Sequence, residues 1–411
     1  MRKKILYIAS RAPVSFAGRE YMINQNVEFF NNLGFEVDMF FFENKSIPKI
    51  NKVRNIFQFP RPGLGGIVKS FYSGKKFSFQ ERLFYSDKAK EFISQLLQEN
   101  SYEVVVVDMV RMSYLVEDID VKKILEYDDL LSMRYERMLA DFNNNIDLLG
   151  TYTEKFPPFI SKLIKPFRKI VLKKESELIS VRELELSEKY NAITFTSPVE
   201  AEKFSTESGR SDVYFNPPAI SLDKSNISRI DNVNQASFFI VGNMKANHNL
   251  ATLQVIADIF RRSDIKGKNI TISIYGEYDN RAQEMCTGLD NIILNGIISD
   301  ISDIFKKHNC LIAPIPFGSG IKVKVIEAMS YGALVITNNI GAEGIGIQHN
   351  INFLSCNTLD EFALSIISVH DDYAKHLAIA SKGSEYVRDN FSKKVVKQNI
   401  KNIFEHIGIN N

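Results

Sequence analysis

Short apolar runs, rich in Val, Ile and Phe, alternate with amphipathic stretches along almost the whole 411-residue chain. In the first half the candidate strands are Lys4–Ala9, Glu36–Phe42, Glu103–Asp108, Lys123–Tyr127 and Ala192–Thr196. Helical patterns fall between them at Glu20–Leu33, Glu81–Leu97 and a long one over about Pro158–Tyr190. Strands apolar on both faces and separated by helices belong to parallel sheets covered on both sides. The rhythm breaks over Tyr214–Asn234, where Asn216-Pro217-Pro218 precedes a polar stretch that reads as a linker. It then resumes, with strands at Phe238–Val241, Ile270–Tyr275, Asn291–Leu294, Cys310–Ala313, Leu334–Thr337 and Phe353–Ser355. Helices fit Asn249–Arg262, Ser299–Lys307, Lys322–Tyr331 and Leu359–His370, with two more towards the C-terminus. The pattern predicts an α/β chain with two doubly wound domains: 1–220, a linker over 221–236, 237–392, and a last helical segment over 393–411. In such folds ligands collect beyond the carboxyl ends of the strands, and the cleft between two facing domains is the expected site.

Charge adds a second constraint. The 51 basic and 49 acidic residues leave a net charge of +2, but the charges are sorted. Residues 44–80 carry Lys45, Lys49, Lys52, Arg54, Arg61, Lys69, Lys75 and Lys76 and no acid. Residues 155–174 carry Lys155, Lys162, Lys165, Arg168, Lys169, Lys173 and Lys174, again with no acid. Outside these two segments 36 basic residues face 49 acidic ones. Both segments hold large aromatic side chains: Phe57, Phe59, Phe71, Tyr72, Phe77 and Phe79 in one, and Phe156, Phe159 and Phe167 in the other. Basic charge mixed with apolar bulk suits docking on an anionic membrane surface. No nucleic-acid-binding module is recognisable, so no nucleic-acid partner is expected. Cys286, Cys310 and Cys356 are odd in number and widely spaced, which points to idle thiols in a reducing cytoplasm. The opening Met1-Arg-Lys-Lys imitates a signal peptide, but the apolar run Ile5–Ala9 is too short and reads as a first buried strand. No run approaches the ~18–20 apolar residues that span a bilayer.

The most informative stretch is Ala313-Pro-Ile-Pro-Phe-Gly-Ser-Gly-Ile-Lys-Val-Lys-Val-Ile-Glu-Ala-Met-Ser-Tyr-Gly-Ala-Leu-Val-Ile-Thr337. It reads as strand, glycine-containing turn, helix, turn, strand. Gly318 and Gly320 allow close backbone approach just before a helix whose first N–H groups can receive a phosphate. Lys322 and Lys324 add positive charge at a helix start, where the dipole disfavours cations, so a purely structural role is unattractive. Glu327, one to two turns in, has the reach to accept hydrogen bonds from ribose hydroxyls.

This arrangement resembles the donor site of retaining GT-B glycosyltransferases, the nucleotide-sugar-dependent group that builds bacterial polysaccharides and glycolipids. The family pattern is Glu-x7-Glu continuing as Glu-Ala-Met, and its second Glu falls on Glu327, followed by Ala328, Met329 and Gly332. Its first Glu, associated with the donor sugar's hydroxyls, falls on Ser319, a departure that bears on the sugar's identity. The Gly-x-Gly-Ile-Lys-x-Lys branch of the family matches closely here, over Gly318, Ser319, Gly320, Ile321, Lys322 and Lys324. Phe239-Ile-Val-Gly-Asn-Met244, followed by Asn249, resembles the first strand and loop of the family's donor domain and brings in Gly242, Asn243 and Met244. Ile272–Gly276 resembles its second strand, ending at Gly276, and Asn291–Ile298 the turn that reads the base, with Ile297. Many members carry an Arg and a Lys aimed at the diphosphate where this chain has Asn243 and His248, so Lys322 and Lys324 are the expected substitutes. The resemblance covers Ser237–Phe404 well and is weaker in the first half.

What the resemblance implies is two Rossmann-like domains facing a central cleft. The first binds the acceptor, the second a nucleotide diphosphate sugar (UDP-, GDP- or dTDP-), and the last helix crosses back to the first domain. The implied reaction transfers the sugar with retention to a saccharide or lipid-linked saccharide, in capsule, O-antigen or lipopolysaccharide assembly at the cytoplasmic membrane face. It needs neither cofactor nor metal, and the leaving diphosphate helps deprotonate the incoming hydroxyl. Lys322 and Glu327 are the expected catalytic residues. Further candidates are Gly18, in the loop after the first strand, and Asp128-Asp129 at the end of an apolar strand, with Asp129 as an acceptor-orienting carboxylate or a helix cap. Arg111, beyond the strand ending at Asp108, is expected to face the same region. Asp118-Ile-Asp120 mimics a metal motif of another glycosyltransferase fold and reads as solvated loop. Two alternatives stay open: a nucleotide-sugar epimerase or hydrolase of the same architecture, and a non-catalytic partner in a polysaccharide assembly complex.

Overall fold

The computed structural model describes residues 3–14, 18–47, 49–140, 168–220, 235–318 and 320–409. It divides into two compact units. The first comprises Met1–Glu136, Lys169–Ala219 and Lys394–Asn411, the second Arg137–Arg168 and Ile220–Lys393.

In the first unit seven parallel strands run β1 (Lys4–Ile8), β2 (Glu36–Phe42), β3 (Asn55–Phe59), β4 (Val104–Asp108), β5 (Lys123–Asp128), β6 (Ala192–Phe195) and β7 (Val213–Phe215). Their order is β3-β2-β1-β4-β5-β6-β7, so direction along the sheet reverses between β1 and β4. The crossovers include α1 (Gly18–Asn32), α2 (Leu64–Phe71), α3 (Phe79–Phe84), α4 (Asp87–Glu99), α5 (Leu131–Ala140), α6 (Arg168–Ser187) and α7 (Pro198–Ser208). The signal-like opening is in fact β1, a central strand with every residue from Ile5 to Ile8 fully buried.

Two strands escaped the sequence pattern. β3 sits at the sheet edge inside the basic segment, and Arg54 just before it reaches Asp38 on β2, with Nε 2.8 Å from Oδ1. That pair seats β3 in register, Asp38 opposite Asn55. β7 is only three residues long. The helix expected over Glu81–Leu97 is broken at Tyr85–Ser86 without Pro or Gly. There the buried Tyr114 hydroxyl donates to Phe84 O (2.8 Å) and accepts from Ser86 N (3.1 Å), satisfying both sides of the break.

The basic segment 44–80 also looks different once folded. Lys52 pairs with Glu28, Arg54 with Asp38, Arg61 with Glu43, Lys69 with Asp87, and Lys75 with Glu117 and Asp118. Phe57 and Phe59 pack on Phe92 at 5.4 and 4.9 Å between ring centroids, and Phe77 is buried against Tyr85 and Tyr114. Val68, Phe71 and Tyr72, around α2, keep 57%, 66% and 86% of their surface exposed. Of the second basic segment, residues 155–167 lie outside the described residues, as do 221–234 of the linker. Asp118 is a surface ion-pair partner of Lys75, Lys90 and Lys189, and no cluster of three metal-ligating side chains occurs among the described residues. Nor is any described helix long and apolar enough to cross a membrane.

The second unit repeats the plan with six parallel strands, β8 (Phe238–Val241), β9 (Ile272–Tyr275), β10 (Ile292–Gly296), β11 (Cys310–Ala313), β12 (Leu334–Thr337) and β13 (Leu354–Ser355). Their order is β10-β9-β8-β11-β12-β13, with the reversal between β8 and β11. The longer helices are α8 (Asn247–Phe260), α9 (Val323–Ser330), α10 (Leu359–Asp371) and α11 (Leu377–Phe391).

From there the chain enters α12 (Lys393–His406), whose Val396, Ile400, Ile403 and Phe404 join the core of the first unit. Phe404 stacks on Phe30 at 5.4 Å and meets Phe35 edge-on at 5.3 Å. Emptying that aromatic junction removes both contacts and leaves a cavity. Phe404→Ala is therefore expected to destabilise the first unit by about 3–5 kcal/mol, measured as a lowered urea midpoint by circular dichroism.

Candidate functional site

In a doubly wound sheet the crevice forms where neighbouring crossovers leave on opposite sides, beyond the carboxyl ends of the two central strands. In the second unit those strands are β8 and β11, and most of the sequence candidates lie in the loops that follow them. The loop after β8 is built by close backbone approach. Gly242 N donates to Tyr275 O at 2.9 Å, Met244 N to Glu277 O at 2.7 Å, and Gly276 N to Gly296 O at 2.7 Å. Gly276 has φ +126, and a Cβ there would stand 2.0 Å from Gly242 O, so no other residue fits. Gly242 is nearly as constrained, because a Cβ would press on the Asn249 side chain at 3.0–3.1 Å. Asn243 is exposed, while Met244 is fully buried. Ile297, just past the edge strand β10, is 76% exposed.

The loop after β11 contains Gly318 (φ +145) and Gly320 (φ +67), both in the left-handed region that glycine tolerates. Ser319 lies outside the described residues. Ile321, Lys322, Lys324 and Glu327 are all half-buried. Lys322 precedes α9 and turns back, its Nζ 2.6 Å from Gly320 O. Lys324 reaches the other way, its Nζ 2.7 Å from Asn249 Oδ1 on α8. Burial, then the Lys322 charge, lowers the Lys324 ammonium to about 8. Glu327 projects from α9, and burial alone raises its carboxyl to about 7. The structure thus links Gly242, Asn243, Gly276 and Lys324 through Asn249 and neighbouring backbone. Asn249 belongs to the stretch that resembles the family's first donor-domain strand and loop; its link to Lys324 is set by tertiary structure and has no signal in the sequence.

The first unit has its own cluster at the carboxyl ends of β1, β4 and β5. Gly18 (φ +54) opens α1, and Arg19 beside it is nearly buried. Its guanidinium bonds Asp108 Oδ1 at 2.5 Å, Glu126 Oε2 at 2.6 Å and Asp128 Oδ1 at 3.3 Å. Tyr7, Ser10 and Asn26 complete the set, bonding Glu126, Asp108 and Glu126 respectively. Burial would raise Asp108, but Arg19 and Ser10 outweigh it and hold its carboxyl below the usual value. Glu126 and Asp128 are instead raised by burial against the pull of Arg19.

Asp128 adopts φ +68, pinned by Thr196, whose N and Oγ1 both donate to its carbonyl at 3.1 and 2.7 Å. This follows a register shift between β5 and β6, and it leaves the Asp128 carboxylate a quarter exposed. Asp129, the residue expected to work on an acceptor, is 2% exposed and ion-paired to Arg134. The register shift therefore makes Asp128 the accessible carboxylate of the pair. Arg111 is likewise buried, its Nη2 2.7 Å from Met109 Sδ and its guanidinium carbon 5.4 Å from the Phe84 ring centre. Burial, then Arg11, lowers it to about 10. A signal for the Arg19 hub did exist in the sequence: Asp108 and Glu126 interrupt strands otherwise buried, and buried charges need partners.

Comparison with known proteins follows the same division. Residues 235–372 match the family model described as Glycosyl transferases group 1. An uncharacterised 44.6 kDa protein of the cps region of Klebsiella pneumoniae is 26% identical over 110 residues, 27% of this chain. The matched stretch spans 28% of that relative's length. Sucrose-phosphate synthase from Thermosynechococcus elongatus superposes with a TM-score of 0.70 at 14% identity, covering 99% of each chain. HepE of Anabaena, solved with UDP and glucose, gives 0.66 at 12% identity over 98% of this chain and 99% of its own. At such identities the likeness shows the fold, which is GT-B. The family match lies within the second unit.

Glu327 supplies a test. Its carboxyl, raised from 4.5 to about 7, makes the folded chain hold a proton that the unfolded chain has released. Its stabilising contribution is complete below about pH 4.5 and is lost as pH rises through 7. Glu327→Gln should therefore raise the melting temperature of the ligand-free protein by ~2–4 °C at pH 8 and not at pH 4, read by scanning calorimetry at the two pH values.

Proposed function

We propose that this protein is a GT-B glycosyltransferase, moving a sugar from a nucleotide diphosphate sugar to a saccharide or lipid-linked saccharide. The observation that carries the reading is the loop after β11. Gly318 and Gly320 open a helix start that holds two lysines where the helix dipole disfavours cations, inside the matched segment. Lys322 and Lys324 would stabilise the departing diphosphate, and Glu327 would accept ribose hydroxyls. The exposed Ile297 beyond β10 gives an apolar surface for the base. UDP is the first nucleotide to try, given the UDP held by HepE; GDP and dTDP follow.

In the proposed reaction the bond from the sugar's anomeric carbon to the diphosphate oxygen breaks, and one from the same carbon to the acceptor oxygen forms. The acceptor's proton passes to the departing diphosphate, with retention and without a metal. In the first unit Asp128, held by Arg19, is the carboxylate available to orient the acceptor hydroxyl. The relative from a cps region makes surface polysaccharide assembly the favoured setting. Peripheral docking on an anionic, cytoplasm-facing membrane would use Val68, Phe71 and Tyr72 with the exposed Lys45, Lys49 and Lys76. Because five other cations of that segment are ion-paired, the apolar contact carries more of this docking than the charge.

Calorimetric titration with UDP-, GDP- and dTDP-sugars, followed by a donor-consumption assay with and without acceptor, tests the reading. Donor consumed only when acceptor is present supports it. Consumption without acceptor favours a hydrolase or epimerase, and no binding favours a non-catalytic partner. Lys322→Ala should lower kcat by about 100-fold with a much smaller rise in donor KM; unchanged turnover would remove Lys322 from the mechanism. Co-sedimentation with anionic vesicles should exceed that with neutral ones and weaken in Phe71→Ser.

A further inference from the structure

Strands β8 and β11 flank the reversal of the second sheet, so the first turns of α8 and α9 border one crevice. Asn249 stands in the first turn of α8 and Lys324 in the first turn of α9. Their side chains meet across it, Nζ to Oδ1 at 2.7 Å. The orientation of the amide is settled by its other end, because Asn249 Nδ2 donates to Asn243 O at 2.9 Å and only the oxygen is left for the ammonium. Asn249 is 6% exposed, and the bare backbone of Gly242 presses against it. Such an amide has little freedom to turn.

We infer that Asn249 is a positioning residue, which holds the Lys324 ammonium across the crevice as the cation for the diphosphate of a bound nucleoside diphosphate. This rests on the donor-site reading above and adds a residue to it. The chemistry of the contact favours the role. A carboxylate in place of Asn249 would fix the lysine and cancel its charge; an amide oxygen fixes it and leaves the charge intact for a ligand. Lysine has a flexible four-carbon stem, and immobilising it beforehand lowers the ordering cost of binding. Two helix N-termini, Lys322 and Lys324 make the crevice electropositive from both sides. Burial, and then the charge of Lys322, lowers the Lys324 ammonium, and the Asn249 oxygen acts against both by holding its charged form.

The test uses the full chain, with UDP as the binding probe and the donor identified above for turnover. Asn249→Ala should lower kcat/KM by about 10–100-fold and move the basic limb of its pH profile, near pH 8, downwards. Asn249→Asp, close in shape, should move that limb upwards while weakening UDP binding at pH 7. The double variant Asn249→Ala with Lys324→Ala should be no worse than Lys324→Ala alone, since the first residue acts through the second. Additive losses, or an Asn249→Ala enzyme with unchanged kcat/KM, would overturn the role of Asn249 and leave the donor site standing. If Asn249→Ala fails to fold, the Asn249→Asp limb decides: an unmoved limb overturns the inference. A wild-type chain that binds none of UDP, GDP and dTDP overturns both readings.

Discussion

An all-parallel sheet needs a crossover after every strand, and those crossovers must reverse direction once if both faces are to be covered. That requirement sets where chemistry can occur in this protein. In each unit the reversal falls beside the first strand, between β1 and β4 or between β8 and β11. Backbone loops there lie against the starts of helices, and most of the polar side chains of interest gather at these places.

The two units use these places differently. In the second, the loops stay close to the backbone: glycines 242, 276, 318 and 320 keep Cβ atoms out of the way, and the Lys324 ammonium meets the amide oxygen of Asn249. In the first, one cation is shared among three carboxylates. Arg19 bonds Asp108, Glu126 and Asp128, and of these three the Asp128 carboxylate is the one that reaches the surface.

Much of the architecture was legible from residue patterns alone, and the exceptions have physical causes. Strands such as Phe238–Val241 and Cys310–Ala313 stand out because burial on both faces demands unbroken apolar runs. β3 did not, because an edge strand with Asn55 and Gln58 exposed lacks that demand. The break at Tyr85–Ser86 was invisible because a hydroxyl from Tyr114, distant in sequence, satisfies the freed backbone groups. The basic run over 44–80 misled in the opposite direction. Its charges look unopposed along the chain, but Glu28, Asp38, Asp87 and Glu117 come from other elements to meet them.

The sequence by itself determined that the chain forms two parallel α/β units and that the stretch from Ala313 to Thr337 brings glycines, two lysines and a glutamate to a helix start. Both conclusions rest on local periodicity and local spacing. Tertiary structure decided which of these charges are available. It paired Asp129 with Arg134 and left Asp128 at the surface through one register shift. It turned Lys322 back on its own loop and carried Lys324 across to Asn249. A charge's partner is set by distance in space, and residues 75 positions apart reach one another only after two helices have been placed by the strands between them.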